Sequence, residues 1–147
     1  MARRLTRDDF ARMLSFGTFK PVGYVVLAYA DEAMAHINAV VSYISEHCNE
    51  PLSMTEVCER FRMPESRFSR FFRRATGNTF TDFVNRMRIS KACQLLMETD
   101  RYVTTICYEV GFNNVANFNR RFLEIKGMTP TDFRRQSASR FGLVETH

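Results

Sequence analysis

The sequence predicts an all-α fold: a seven-helix domain in which two helix-turn-helix units are joined by a long linker helix. Three observations carry this. A stretch of about thirty residues recurs once along the chain. Helix start and stop signals fall at fitting intervals in both copies. No segment between residues 31 and 136 alternates apolar and polar side chains as a half-buried strand would.

Sliding the chain against itself lays residues 54–83 over residues 104–133 without a gap, and about ten of roughly thirty pairs are identical. Among them are Thr55 with Thr105, Glu59 with Glu109, Phe68 with Phe118, Arg70 with Arg120, Phe72 with Phe122 and Gly77 with Gly127. Thr81, Asp82 and Phe83 recur as Thr131, Asp132 and Phe133. Two copies are too few for a solenoid, so the pattern is that of a tandem duplication of one motif.

The elements follow in order. A first helix is expected over residues 33–47, where Ile37, Val40, Val41 and Ile44 recur at helical spacing. In the first copy Ser53 caps a short helix, with Glu56 three residues on to return the bond as a capping box; Val57 and Phe61 point inward at i and i+4. After a turn at Arg62, Met63 and Pro64, a longer helix opens with Pro64 in its first position and runs to Thr76, where Gly77 stops it. Thr79 to Asp82 form another capping box and start the linker helix, which reaches Glu98 with Phe80, Phe83, Met87, Leu95 and Leu96 inward.

The second copy begins at residues 103–110, turns at Gly111, Phe112 and Asn113, and restarts with Asn114 capping a helix that reaches Lys126 before Gly127. A final short helix starts at Thr129 and Pro130 and packs through Phe133.

Composition bounds the function. The 147 residues, 45% hydrophobic and 25% charged, suit a soluble globular domain, and no apolar run approaches the roughly 18 residues that span a bilayer. No secretory signal order is visible, so a cytoplasmic location is expected and no membrane partner. Cys48, Cys58, Cys93 and Cys107 are scattered without a C-x-x-C pair, so they are expected as buried free thiols, with no metal site and no cofactor. An enzyme is not expected, because no phosphate-cradling glycine loop and no nucleophile, base and acid set of recognisable spacing is present.

A formal charge of +5 permits a polyanionic partner without establishing one. Its placement says more. Residues 53–77 hold Arg60, Arg62, Arg67, Arg70, Arg73 and Arg74 against Glu56, Glu59 and Glu65. Unrolled at about 100° per residue, the longer helix of the first copy turns Phe68, Phe71, Phe72 and Ala75 inward and Ser66, Ser69, Arg70 and Arg73 outward, with Arg67 and Arg74 flanking.

A face of that kind suits a DNA major groove, where guanidinium groups fork to guanine O6 and N7 or clamp phosphates. In the second copy the outward slots hold Ala116, Asn119, Arg120 and Leu123, with Asn117 beside them. Asparagine pairs bidentately with adenine and alanine touches a thymine methyl, so the two copies should prefer different half-sites. The rival reading is a protein-interaction adaptor that uses the same basic faces as interface anchors.

The string from Arg88 to Leu96, followed by residues 103–112, Phe118 to Phe122, Gly127 to Pro130 and Asp132 to Arg134, resembles the AraC/XylS family of bacterial transcription regulators. The resemblance covers residues 37–135. It implies a DNA-binding domain of seven helices, double-stranded DNA and RNA polymerase as partners, and an activating role. It also implies base contacts at Ser66, Ser69, Arg70, Ala116, Asn117 and Arg120. Asn119 shares their outward face; Arg67, Arg73, Arg74 and Arg121 are phosphate candidates.

Val115 is apolar where some members of that family place a polar reader. Members usually carry a separate domain that senses a small-molecule effector, and this chain is too short to contain one. Residues 1–30, with Leu5, Phe10, Met13 and Leu14 at helical spacing, are expected as the remnant of a sensor or dimerisation domain. Residues 31–136 are the expected DNA-binding domain and residues 137–147 a tail.

Overall fold

A computed structural model describes residues 30–140, and these form seven α-helices with no strand among the described residues. They are α1 (Ala30–His47), α2 (Met54–Arg60), α3 (Glu65–Thr76), α4 (Phe80–Glu98), α5 (Val103–Glu109), α6 (Val115–Lys126) and α7 (Pro130–Arg140). The all-α expectation and its helix count hold. The expected N-terminal segment lies outside the described residues, apart from Ala30 at the start of α1. The tail does so from residue 141 onward.

The chain divides into two compact units between Val84 and Asn85, within α4. In the first unit, Ile37, Val40, Val41 and Ile44 of α1 are buried together with Val57, Cys58, Phe68, Phe72, Phe80 and Phe83. Phe72 is its aromatic centre, stacked on Phe68 at 5.5 Å and edge-on to Phe83 at 5.1 Å. In the second unit Ile89, Ala92, Cys93 and Leu96 of α4 pack with Ile106, Cys107, Val110, Phe112, Phe118 and Phe122. Leu95, Val103, Val115, Ile125 and Phe133 close that core from its edges. All four cysteines are buried free thiols, and burial pushes Cys93 up to about 11, partly offset by the Lys126 charge.

The starts of four helices are held by side chains. Ser53 Oγ accepts from Glu56 N–H at 3.2 Å, Thr79 Oγ1 from Asp82 N–H at 3.2 Å, Asn114 Oδ1 from Asn117 N–H at 2.9 Å and Thr129 Oγ1 from Asp132 N–H at 3.1 Å. Each satisfies one of the backbone donors that a helix start leaves without an intrahelical partner.

Pro64 stands one place earlier than the sequence suggests. It is the N-cap of α3, with φ −59° and ψ 145°, and its carbonyl accepts the first helical bond from Phe68 N–H at 2.9 Å. The pyrrolidine ring fixes φ alone and leaves ψ extended, which a cap requires. At the other end, α7 is eleven residues long and runs past Gln136 to Arg140, with no glycine or proline between those two residues to stop it.

The repeat is not continuous in space. Helices α2 and α5 are both seven residues long and start at Met54 and Val103, forty-nine apart; α3 and α6 are both twelve long and start at Glu65 and Val115, fifty apart. Burial sets the first offset, since buried Val57 and Cys58 correspond to buried Ile106 and Cys107, whereas Tyr108 is exposed. The matches of Thr55 with Thr105 and Glu59 with Glu109 are therefore not structural equivalences.

The extra residue lies in the second turn. Both turns begin identically, as Schellman motifs. Met63 N–H bonds to the Cys58 carbonyl at 3.0 Å and Arg62 N–H to Glu59 at 3.2 Å; Phe112 N–H bonds to Cys107 at 3.1 Å and Gly111 N–H to Tyr108 at 3.1 Å. The left-handed residue is Arg62 (φ 54°) in the first turn and Gly111 (φ 109°) in the second. Beyond them Pro64 alone leads into α3, whereas Asn113 and Asn114 lead into α6.

Candidate nucleic-acid interface

In the first unit α3 presents two opposed stripes. Phe68 and Phe72 are fully buried and Phe71 and Ala75 are half-buried, while Ser66, Arg67, Ser69, Arg70, Arg73 and Arg74 are all exposed. Among the described residues, the guanidinium groups of Arg67, Arg70, Arg73 and Arg74 have no ion-pair partner. Four adjacent unneutralised cations on one exposed helix face make a strongly positive surface. Ser69 Oγ approaches Met54 Sδ of α2 at 3.4 Å, so this side chain is held against the preceding helix.

Two residues beside this face pair across the turn. Thr55 Oγ1 of α2 donates to Glu65 Oε1, the first residue of α3, at 2.6 Å, so the acid that opens the helix is held by the helix before it. No helical periodicity links positions ten apart, so only the folded turn brings this pair together. Arg62, exposed in the turn, adds another cation beside α3.

In the second unit α6 repeats the inward stripe, with Phe118 and Phe122 fully buried, but carries a different outer one. Ala116, Asn119, Arg120 and Leu123 are exposed and Asn117 is half-buried. Leu123 is 51% exposed, so the stripe turns apolar toward its C-terminal end. Two of the polar groups here are paired with each other. Arg120 Nη2 donates to Asn117 Oδ1 at 2.8 Å.

Arg121 sits on the flank of α6, half-buried and bonded to Glu124 Oε2 at 3.3 Å, like its half-buried counterpart Phe71 on α3. Val115 packs against the core. Arg101 Nη1 is held by Glu109 Oε2 at 2.6 Å.

Arg134 of α7 fixes the loop that leads into α5. Its Nε donates to the Leu96 carbonyl at 3.1 Å, and Nη2 donates to the carbonyls of Thr99 at 3.2 Å and Arg101 at 2.7 Å. These include a carbonyl from the last turn of α4, which a helix end leaves without an intrahelical donor. Among the described residues, no group of three or more His, Cys, Asp or Glu stands ready to hold a metal ion, and no helix is long and apolar enough to cross a membrane.

A family model described as a helix-turn-helix domain matches residues 57–136, more than half of the chain. The chain belongs to the AraC-type helix-turn-helix family and contains the DNA-binding domain of a transcriptional regulator. An uncharacterised HTH-type transcriptional regulator of Staphylococcus aureus is 37% identical over 98 residues, covering 67% of this chain and 13% of that protein.

Among solved structures, a transcriptional regulator from Chromobacterium violaceum, with an AraC-type DNA-binding domain, is similar with a TM-score of 0.68 at 22% identity; the match covers 74% of this chain and 96% of the other. The DNA-binding domain of AdpA, a global transcriptional factor solved with a target DNA, gives 0.68 at 24% identity over 72% and 96%. At these identities the two structures speak to the fold. The chain spans between 13% and 49% of the length of the curated relatives it matches first.

Proposed function

We propose that this chain reads two successive major-groove segments of an asymmetric DNA site, one with α3 and one with α6. The observation that carries the reading is the unlikeness of the two exposed stripes on helices whose buried stripes are alike. Phe68 and Phe72 recur as Phe118 and Phe122, whereas Ser66, Arg67, Ser69 and Arg73 give way to Ala116, Asn117, Asn119 and Leu123, with Arg70 alone kept as Arg120. A duplicated motif that keeps its core and changes its outer face is suited to two different half-sites.

In this reading Ser66, Ser69 and Arg70, then Ala116 and Arg120, face base edges with Asn117 and Asn119 beside them, while Arg67, Arg73, Arg74 and Arg121 serve phosphates. The unpaired arginines of α3 supply much of the sequence-independent attraction. Residues 31–136 act as the reader. The regulator works in the bacterial cytoplasm as an activator, with RNA polymerase as its partner.

The test is a salt series on random duplex, followed by selection of bound sites and footprinting. A steeply negative dependence of affinity on salt is expected, with two protected major-groove segments about 10 bp apart on one face. Arg70→Ala and Arg120→Ala are each expected to cost about 1 to 3 kcal/mol on the selected site and much less on random duplex. Absence of salt-dependent DNA affinity would sink this reading in favour of a protein-binding adaptor, and equal losses on every sequence would make both arginines phosphate contacts.

A further inference from the structure

We infer that Asn117 is a positioning residue, which orients the Arg120 guanidinium toward a guanine edge and does not itself read a base. The inference deepens the reading proposed above and rests on Arg120 contacting a base. Two hydrogen bonds in series carry it. Asn114 Oδ1 accepts from the backbone N–H of Asn117 at 2.9 Å, which anchors the first turn of α6. Asn117 Oδ1 in turn accepts from Arg120 Nη2 at 2.8 Å, one helical turn further on.

The amide orientation follows from chemistry. A guanidinium has five N–H donors and no acceptor, so only the oxygen of the asparagine amide can face it. Bidentate recognition of adenine would require that same oxygen to accept from N6–H while the amide nitrogen donates to N7. With Oδ1 engaged by Arg120, Asn117 is poorly set for that task. Arg120 spends one N–H of its five on the bond and keeps a free fork for guanine O6 and N7. Holding a long side chain in one geometry before binding removes part of the entropy lost on recognition.

The first unit supplies an internal contrast. At the fifty-residue offset shared by α3 and α6, Asn117 corresponds to Arg67 and Arg120 to Arg70. Two like charges three residues apart on a helix repel and cannot hydrogen-bond each other. The arginine of α6 is therefore held in place, whereas that of α3 is not.

The experiment uses the full 147-residue chain. Sites selected from random duplex by the wild type and by Arg120→Ala identify the base pair whose preference depends on Arg120. Affinity for that site and for single-base changes in it is then measured for Asn117→Ala, for Asn117→Ser, whose hydroxyl is too short to reach Arg120, for Asn117→Asp, and for Asn117→Ala combined with Arg120→Ala.

Asn117→Ala and Asn117→Ser are expected to lower the preference at the Arg120 base pair by about three- to tenfold. The other positions and the salt slope should stay unchanged, and the loss should vanish in the Arg120→Ala background. Asn117→Asp retains an oxygen acceptor and should restore the preference ratio. A loss of preference at a different base pair, or an additive loss in the double variant, overturns the positioning role and leaves Arg120 a reader. Arg120→Ala that erases no base preference overturns the base contact itself, and the inference with it.

Discussion

Replacing Arg62 by glycine separates backbone strain from side-chain contact at the first turn. Arg62 occupies the left-handed region at φ 54°, at the position of its Schellman motif where glycine is usual and where the second turn has Gly111. A residue with a Cβ pays about 1 to 2 kcal/mol there. Glycine removes that strain but loses about 0.5 to 1 kcal/mol more chain entropy on folding. The Arg62 side chain is exposed and has no partner among the described residues, so the exchange deletes no contact, and the backbone bond to Glu59 is kept.

The net expectation is that Arg62→Gly stabilises by about 0.5 to 1 kcal/mol. For a domain of this size that raises Tm by roughly 2 to 6 °C, read by circular dichroism without DNA. Gly127→Ala is the reverse case. Its φ is +75° and an added Cβ would meet nothing within 4 Å, so no clash adds to the strain, and with the entropy gain set against it stability should fall by about 0.5 to 1 kcal/mol. If Arg62→Gly lowers Tm while Gly127→Ala leaves it unchanged, the strain argument is refuted at both positions.

Arg134→Leu deletes three hydrogen bonds to the carbonyls of Leu96, Thr99 and Arg101 and should cost about 1.5 to 3 kcal/mol in urea unfolding; a cost below about 0.5 kcal/mol would mean the loop holds itself. Stability should also fall as the solution is made alkaline. Cys93 keeps its proton in the folded state up to about 11, against an ordinary value of 9.0, so the unfolded chain binds fewer protons between these limits. The contribution is fully present below pH 9 and declines by about 1.4 kcal/mol per pH unit toward 11. Cys93→Ala should flatten that part of the curve, and an unchanged slope would count against the buried thiol.

Much of this architecture is legible in the sequence because its punctuation is local. Ser53, Thr79, Asn114 and Thr129 each stand three residues before the amide they cap, and Gly77 and Gly127 stop α3 and α6. The outward stripe of α3 is legible for the same reason, since a 3.6-residue period and two buried phenylalanines define it. The one-residue slip is not, because Thr55 with Thr105 and Glu59 with Glu109 are identical by letter while the exposed face of a short helix tolerates either register.

Partnerships across a turn were also hidden. Nothing in the spacing of Thr55 and Glu65, or of Arg134 and Leu96, marks them as neighbours. The phase of Arg121 on its helix is likewise not given by its charge. As the counterpart of half-buried Phe71 it sits on the flank, paired with Glu124.

The additional residue of the second turn has a consequence for engineering. Inserted within a helix, one residue would swing every following side chain by about 100° and carry the outer stripe off its face. Taken up in the turn, it leaves α3 and α6 equal in length, each ended by a left-handed glycine and followed two residues later by a threonine cap. The stretches from Glu65 and from Val115 to the next helix are thus matched in length and phase. A chimaera joined at those two residues keeps its phase, whereas one joined by a uniform fifty-residue offset within α2 and α5 would set an exposed tyrosine where the core requires a cysteine.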